Sequence, residues 1–192
     1  MEMEPAARRS IARLSIHVEP HGAAGIARHY IKDLVYGAND GIITTFAVVA
    51  GVAGGALSQS AVLIVGAANL AADGLSMAVG NFLSIRAHES ARAADNLPEE
   101  ESHPVRHACA TFIAFVVAGS VPLVPYVLPA LREHGLAWSA VATLTALFVV
   151  GAVRTSVTVD RWWAAGLEML VLGLVVAAAA YGAGALIASV VR

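Results

Sequence analysis

The chain has 192 residues, of which 58% are hydrophobic and only 14% are charged, and its formal net charge is -2. A soluble domain carries about 25% charged residues, so this composition argues against a soluble domain and indicates a protein embedded in a lipid bilayer. The near-neutral balance gives no basic surface for nucleic acid, and the many Ala and Gly residues suit helices that pack closely in a membrane.

Five apolar stretches are each long enough to cross about 30 Å of hydrocarbon as a helix, which takes roughly 20 residues. They lie near residues 34–57, 60–85, 107–129, 137–158 and 163–190. They predict an all-α membrane protein with five transmembrane helices. Three prolines near the end of the third stretch predict a kinked or frayed helix there, and these are Pro122, Pro125 and Pro129.

The polar parts of the chain predict its organisation. Residues 1–32 read as a polar or interfacial N-terminal segment without the apolar stretch of a signal peptide. Residues 33–192 form the transmembrane domain, in which a short cytoplasmic link near 88–106 joins the second and third spans. The link GGALSQS between the first two spans is so short that these spans must be antiparallel neighbours.

The Lys and Arg residues that flank the spans predict the orientation of the chain. If the chain crosses five times, only Arg132 and Arg192 lie on one side. The other side holds Arg8, Arg9, Arg13, Arg28, Lys32, Arg86, Arg92, Arg106, Arg154 and Arg161. This asymmetry predicts a cytoplasmic N-terminus and an external C-terminus, and an even number of spans would remove it.

The first span contains an acid where lipid-facing residues would be expected. Asp40 lies in the run DLVYGANDGIITTFAVVAGVAGG, and a charged residue near the bilayer centre costs roughly 2.5–3.5 kcal/mol on insertion scales. Such residues usually face a bundle interior or a water-filled path. Asp33 precedes Asp40 by seven residues and shares its helical face, either as part of a path or as a solvated acid at the start of the helix.

The second span contains a polar stripe in which each residue follows the last by four positions. Its members are Asn69, Asp73, Met77 and Asn81, and they lie opposite Leu75, Val79 and Phe82. Carboxylate and amide oxygens suit hard cations and a thioether suits softer ones, so the stripe together with Asn39 and Asp40 favours a borderline ion such as Fe²⁺ over Mg²⁺ or Ca²⁺. Neither Cys nor His lies in this region, which argues against a structural zinc site.

The same residues also have structural interpretations. Asn69 and Asn81 could bridge helices through hydrogen bonds, and Met77 could fill space between helices. Asp40 and Asp73 could be purely structural, although buried carboxylates are a costly way to stabilise a helix pair. Glycines four apart in the first span allow another span or another copy of the chain to approach closely, and they are Gly37 and Gly41, and Gly51 and Gly55.

At this point the motifs resemble a known family. The runs DLVYGANDGIITTFAVVAGVAGG and ANLAADGLSMAVGNFLS strongly resemble the vacuolar iron transporter family, and GLEMLVLGLVVAAAAYGAG is similar to its last span. The resemblance implies a five-span protomer that forms a homodimer, with the first span of each protomer lining the ion path. It also implies export of Fe²⁺, often also Mn²⁺, from the cytoplasm in exchange for protons.

The resemblance also implies roles for individual residues. By motif position, Asp40 is similar to the family's membrane-embedded carboxylate and Met77 to its thioether ligand. Asn39, Thr44 and Asp73 lie within the same motifs. The expected metal ligands along the whole path are Asp40, Met77, Asp73, Asn39, Asp33 and Glu89.

The link between the second and third spans departs from the longer members of the family. Those members carry a helical insert rich in Glu and Met that captures metal, whereas this link is only HESARAADNLPEEESHPVR. The chain therefore resembles the short form that lacks the insert. Its acids Glu99, Glu100 and Glu101 either attract cations to the entrance, with His103, or form a solvated turn around Pro98.

These features give a mechanistic hypothesis. Fe²⁺ enters from the cytoplasm past Asp33 and Glu89 and is held by Asp40 and Met77, while Asp73 serves as a second carboxylate or bridges the helices. Protons from the opposite side compete with the metal for the carboxylates. Glu168 in the last span either pairs with Arg154 or Arg161 or lies beside the path.

Other functions remain as alternatives. A manganese-preferring exporter would use the same site, and a non-transporting membrane interaction protein would use the same polar residues for assembly. An enzyme is disfavoured because the sequence lacks a nucleophile–base pair, an HExxH motif and a phosphate-binding glycine loop. No cofactor is expected, since Fe²⁺ or Mn²⁺ is the transported substrate. The composition, rich in Ala, Gly and Arg with little Lys, favours a bacterial plasma membrane over a vacuolar or other endomembrane.

Overall fold

The computed structural model of the protein describes residues 15–16, 20–156 and 158–191. Residues 1–14 and 17–19 of the predicted N-terminal segment lie outside this description. The helices are α1 (Gly22–Gly54), α2 (Gln59–Ala94), α3 (Pro104–Gly119), the short α4 (Val124–Val127), α5 (Gly135–Arg154) and α6 (Trp162–Val191). Within these described residues, five segments are long and apolar enough to cross a membrane, which confirms the prediction of an all-α protein with five spans.

Two helices extend beyond the apolar stretches that predict them. α1 begins at Gly22, so the residues just before the first span are helical and continuous with it. α2 continues past residue 85 to Ala94 because RAHESARAA consists mainly of good helix formers that need no lipid around them. The loop between α2 and α3 is therefore limited to residues 95–103. Asn96 helps to end α2 with a left-handed backbone (φ 57°), which Asn tolerates better than most residues.

The prolines interrupt the third span as predicted. α3 ends at Gly119, and a 3₁₀ turn at Val121–Leu123 joins it to α4. Pro122 and Pro125 lie within the first two positions of these short elements, where the missing N–H is tolerated. The Oγ of Ser139 on α5 donates a 2.7 Å hydrogen bond to the carbonyl of Pro122, which satisfies a backbone group at the break.

α1 occupies the centre of the bundle. It contacts each of the other four long helices, and it packs more extensively against α3 and α6 than against α2, its neighbour in sequence. Close approach to α3 depends on glycine: a Cβ added to Gly37 would lie 2.5 Å from the carbonyl oxygen of Thr111, and one added to Gly41 would collide with the carbonyl oxygen of Phe115. The predicted partner of this glycine face is therefore another span of the same chain.

Candidate metal site

α1 and α2 bring Asp40 and Asp73 together. Both residues are partly buried, and the two carboxylates are close enough to interact electrostatically. Within the described part of the chain, neither side chain makes a hydrogen bond or an ion pair. The hydroxyl of Thr44 donates to the backbone carbonyl of Asp40 (2.8 Å) rather than to its carboxylate. The structure thus places two acids near each other within apolar spans, and none of the described residues forms a hydrogen bond or ion pair with either side chain.

Two asparagines beside these acids have buried amide atoms without a hydrogen-bond partner among the described residues: Asn39 Oδ1 and Asn69 Nδ2. Asn69 lies one helical turn before Asp73 on α2, on the same side of that helix. Asn39 is adjacent to Asp40 in sequence but lines a separate cavity of about 380 Å³, whose other walls include Arg154 and Met169. Asn39 is therefore turned toward α5 and α6, away from Asp73.

The stripe on α2 has the predicted orientation. Its four members are partly buried, whereas Leu75 and Val79 on the opposite side are 57% and 55% exposed. Met77 lies one turn past Asp73 and packs against an apolar core cluster that includes Phe46 and Phe115. Its space-filling role is thus visible in the structure, and its role as a metal ligand stays a prediction.

Asp33 is not the solvated acid that one sequence interpretation suggested. It is 2% exposed, because α3 and α2 cover it with hydrogen-bonding groups. Its Oδ2 lies 2.6 Å from Nδ1 of His107, and its Oδ1 accepts a hydrogen bond from the amide of Asn81 (2.8 Å). The same amide lies 2.8 Å from the hydroxyl of Thr111. Asn81 therefore bridges helices, as one interpretation predicted.

Sequence reasoning missed His107 and Thr111. The third span looks uniformly apolar, yet these two residues are four positions apart and share one face of α3 that is completely buried against α1 and α2. This polar pair in an apolar helix was the available signal. The expectation that no histidine lies in the polar region is wrong. His107 contacts Asp33, from which it is 74 residues away in sequence.

The loop acids are held in place by hydrogen bonds and ion pairs. Glu101 Oε2 lies 3.1 Å from Nε2 of His107 and 3.7 Å from Nε2 of His29. The carboxylate of Glu89, a predicted ligand, accepts hydrogen bonds from the backbone N–H groups of Glu101 (3.0 Å) and Glu100 (3.2 Å). Glu89 therefore fixes the loop that carries Glu101. The interpretation as a merely solvated turn is wrong for Glu101.

Glu100 and Glu168 take part in surface ion pairs. Glu100 lies 3.0 Å from Arg92 and 3.5 Å from His88 at the end of α2. Glu168 forms a 3.1 Å contact with Arg154, so the interpretation that Glu168 pairs with an arginine is confirmed for Arg154. Both acids are more than half exposed, which marks these pairs as weakly stabilising.

Taken together, five membrane-crossing helices with acids, amides and histidines turned toward one another define an integral membrane protein with a polar interior. A family model described as the VIT family matches residues 31–102 and 88–185, which together make up most of the chain. The chain belongs to the VIT family. The two matched segments overlap at residues 88–102, in the link between α2 and α3.

Similar curated proteins carry a consistent name. The chain is 27% identical to "Vacuolar iron transporter 2" of Oryza sativa subsp. japonica over 88% of this chain and 91% of that protein. It is 25% identical to "Vacuolar iron transporter 1" of Eucalyptus grandis over 93% of each chain. A shorter match to "Vacuolar iron transporter" of Toxoplasma gondii is 42% identical over 44% of this chain and 30% of that protein.

Proposed function

We propose that this protein is a secondary transporter that moves Fe²⁺, and also Mn²⁺, out of the cytoplasm in exchange for protons. The names of the relatives support Fe²⁺, since they mention iron and these proteins align with nearly the whole chain. The single observation that carries the proposal is the Asp40–Asp73 pair: two acids from different helices that interact with each other and have no hydrogen-bond partner within the described residues.

Such a pair needs a cation. Two ionised carboxylates close together in a poorly solvated site repel each other, and a proton on one of them or a metal ion between them relieves this repulsion. Metal and protons therefore compete for the same oxygens. Competition for one site is sufficient for exchange, because each cation releases the other when it arrives from its own side of the membrane.

The neighbouring side chains favour a first-row transition metal. Met77 follows Asp73 by one turn, and the thioether is the softest donor within reach of the stripe. Asn69, one turn before Asp73, has an amide without a partner in the described residues and would turn its carbonyl oxygen toward an ion. A manganese-preferring exporter would use the same groups, and competition between the two metals for uptake would separate these cases.

The direction of transport rests on the orientation of the bundle. The end where α1 begins carries Arg28 and Lys32, and the ends of α2 and α5 on the same side carry Arg92 and Arg154. Cytoplasmic loops carry an excess of such residues. The proposed membrane is a bacterial plasma membrane, and the vacuolar membrane in the names of the relatives is the alternative.

A homodimer would complete the path. Tyr36 lies on α1 within a membrane-crossing segment and yet is 61% exposed, as expected if a second copy covers this face. The 192-residue sequence contains one cysteine, Cys109. In a Cys109→Ser variant, the further change Tyr36→Cys therefore introduces the only cysteine of the sequence, which reports contact at this face. Oxidative cross-linking to a dimer in lipid vesicles is expected, and a chain that stays monomeric under these conditions would contradict the arrangement.

The transport proposal is tested with purified protein in vesicles. A metal-quenched dye and a pH dye inside the vesicles report Fe²⁺ uptake and lumen pH together. We expect uptake to increase when the lumen is acidic, and the lumen to become more alkaline only when metal is added. An equal rate of Fe²⁺ uptake with and without the pH gradient would rule out antiport. A complete lack of uptake would favour the alternative of a non-transporting interaction protein.

A further inference from the structure

A cluster of metal-binding side chains lies outside the Asp40–Asp73 pair. His29, Glu101 and His107 each present one ligand atom, and these three atoms lie within 4.8 Å of one another. They come from α1, from the loop between α2 and α3, and from α3. The imidazole rings of His29 and His107 are 4.9 Å apart between centroids. We propose that His29, Glu101 and His107 bind a divalent transition-metal ion at this end of the bundle.

The distances suit a shared ion. Ligand atoms at about 2.0–2.2 Å from a metal in tetrahedral or octahedral sites are roughly 3–3.6 Å from each other. The oxygen of Glu101 lies 3.1 Å from the nitrogen of His107 and 3.7 Å from that of His29. All three ligand atoms lie within 4.8 Å of one another, so binding requires only a small inward movement, and His29 is partly exposed and thus able to adjust.

Asp33 prepares His107 for this role. Its Oδ2 lies 2.6 Å from Nδ1 of His107, which favours the tautomer that carries its proton on Nδ1 and leaves the Nε2 lone pair directed at Glu101. A carboxylate in this position is the usual partner of a metal-binding histidine. Asp33 is thus a positioning residue, held in turn by the amide of Asn81.

The charges in the cluster favour one bound cation. Glu101 can only accept hydrogen bonds when ionised, and Nε2 of His107 lies 3.1 Å from its Oε2. With the Nδ1 proton directed at Asp33, a cation between Nε2 and Glu101 would satisfy both groups. Two imidazoles and one carboxylate form a donor set typical of Fe²⁺ and Zn²⁺ and unlike that of Mg²⁺ or Ca²⁺, so we assign the charge to a metal.

The location suggests a use for the site. Asp33 lies seven residues before Asp40 on α1, so the cluster is about 10 Å along the helix axis from the unpaired acids. In the orientation proposed above, this end faces the cytoplasm. The site would then collect metal at the entrance in place of a longer insert between α2 and α3. This use rests on the proposed function, whereas the binding site itself does not.

The test measures binding without transport. Purified full-length protein carrying Asp40→Asn is titrated with Co²⁺, whose visible absorption bands report nitrogen ligation. We expect one Co²⁺ per chain, displaced by Fe²⁺ and not by Mg²⁺. His29→Gln and Glu101→Gln should each weaken binding at least tenfold. His134→Gln, which changes an exposed histidine near the other end of the bundle, is the matched control and should change nothing.

Asp33→Asn tests the positioning role. The Co²⁺ absorption bands should persist while the affinity falls about 10–100-fold, as for other carboxylates that orient a metal-bound histidine. Melting temperatures in detergent identify variants that fail to fold, and Glu101→Gln, on the loop, is the variant expected to fold best. Unchanged Co²⁺ affinity in both His29→Gln and Glu101→Gln would overturn the proposal. Absence of Co²⁺ binding to folded protein would also overturn it.

Discussion

Asp33 and Asp40 lie on the same face of α1, and their surroundings are opposite. Asp33 is fully buried and both of its oxygens have hydrogen-bond partners, His107 and Asn81. Asp40 is partly buried, and it faces a second acid, Asp73, without a hydrogen bond to its carboxylate from the described residues. A carboxylate in an apolar bundle is stable when it is paired or hydrogen-bonded. Asp33 meets this condition with protein groups alone, whereas the described residues supply no hydrogen-bond partner for the carboxylate of Asp40.

Under the proposed function, this difference separates a structural acid from an acid that binds the transported ion. A purely structural acid has its oxygens satisfied by fixed protein groups, which leaves no oxygen for a cation. A site that must release its cation keeps oxygens that are unsatisfied without it. The Asp33 network therefore shows what the interaction-protein hypothesis would predict for Asp40 and Asp73, and the two acids do not have that environment.

The largest expected effect on stability is at Asp33. Asp33→Ala removes one partner of a buried pair and leaves His107 and Asn81 without it, which costs about 3–5 kcal/mol. The melting temperature in detergent should fall strongly. The matched change Asp40→Ala should leave the melting temperature unchanged or raise it, because it removes an acid without a partner. Equal decreases in melting temperature for the two variants would contradict the proposed difference between Asp33 and Asp40.

A glycine substitution tests the close packing of α1, which carries both Asp33 and Asp40, against α3. Gly41→Ala forces a Cβ against the backbone of Phe115 and should cost roughly 1–3 kcal/mol. Gly80 is the matched control, because it is also helical and an added Cβ there meets nothing within 4 Å. Gly80→Ala should stabilise the protein by up to about 1 kcal/mol. The readout is the shift in melting temperature, and a similar shift for both variants would contradict the close packing.

Asp73→Asn tests whether Asp73 is the second carboxylate of the proposed metal site. If Asp73 is the second carboxylate, its amide variant should lower the rate of Fe²⁺ uptake about tenfold, equivalent to about 1.4 kcal/mol, without lowering the melting temperature. Vesicle uptake and thermal melting measured on the same preparation check this. A stable variant with wild-type uptake would assign Asp73 to helix packing only.

The smallest expected effect is at Glu168. Its pair with Arg154 is more than half exposed on the side of Glu168, and such pairs contribute about 0.2–1 kcal/mol. Glu168→Gln should therefore shift the melting temperature only slightly and leave Fe²⁺ uptake unchanged. A large loss of uptake in this variant would place Glu168 beside the ion path after all.

The sequence was sufficient for the features that depend on local pattern. The spacing by four identified the partly buried α2 stripe, and hydropathy identified five spans among the described residues. Acids inside apolar runs pointed to Asp40 and Asp73, whose role as metal ligands stays a prediction. Hydropathy failed at the helix ends, since α2 continues into polar residues up to Ala94. Contacts between distant segments were also out of reach. His107 meets Asp33 only after α3 packs against the glycine face of α1, and nothing in either segment alone specifies that pairing.

The most direct test of the central claim compares two identical chemical changes at different places. Asp40→Asn and Asp95→Asn each replace one carboxylate by an amide, the second at an exposed position at the end of α2. Fe²⁺ uptake into vesicles is measured for both at equal amounts of folded protein. We predict that uptake falls about 100-fold or more for Asp40→Asn, equivalent to about 2.8 kcal/mol, and stays at the wild-type rate for Asp95→Asn. Wild-type uptake by folded Asp40→Asn would contradict the account.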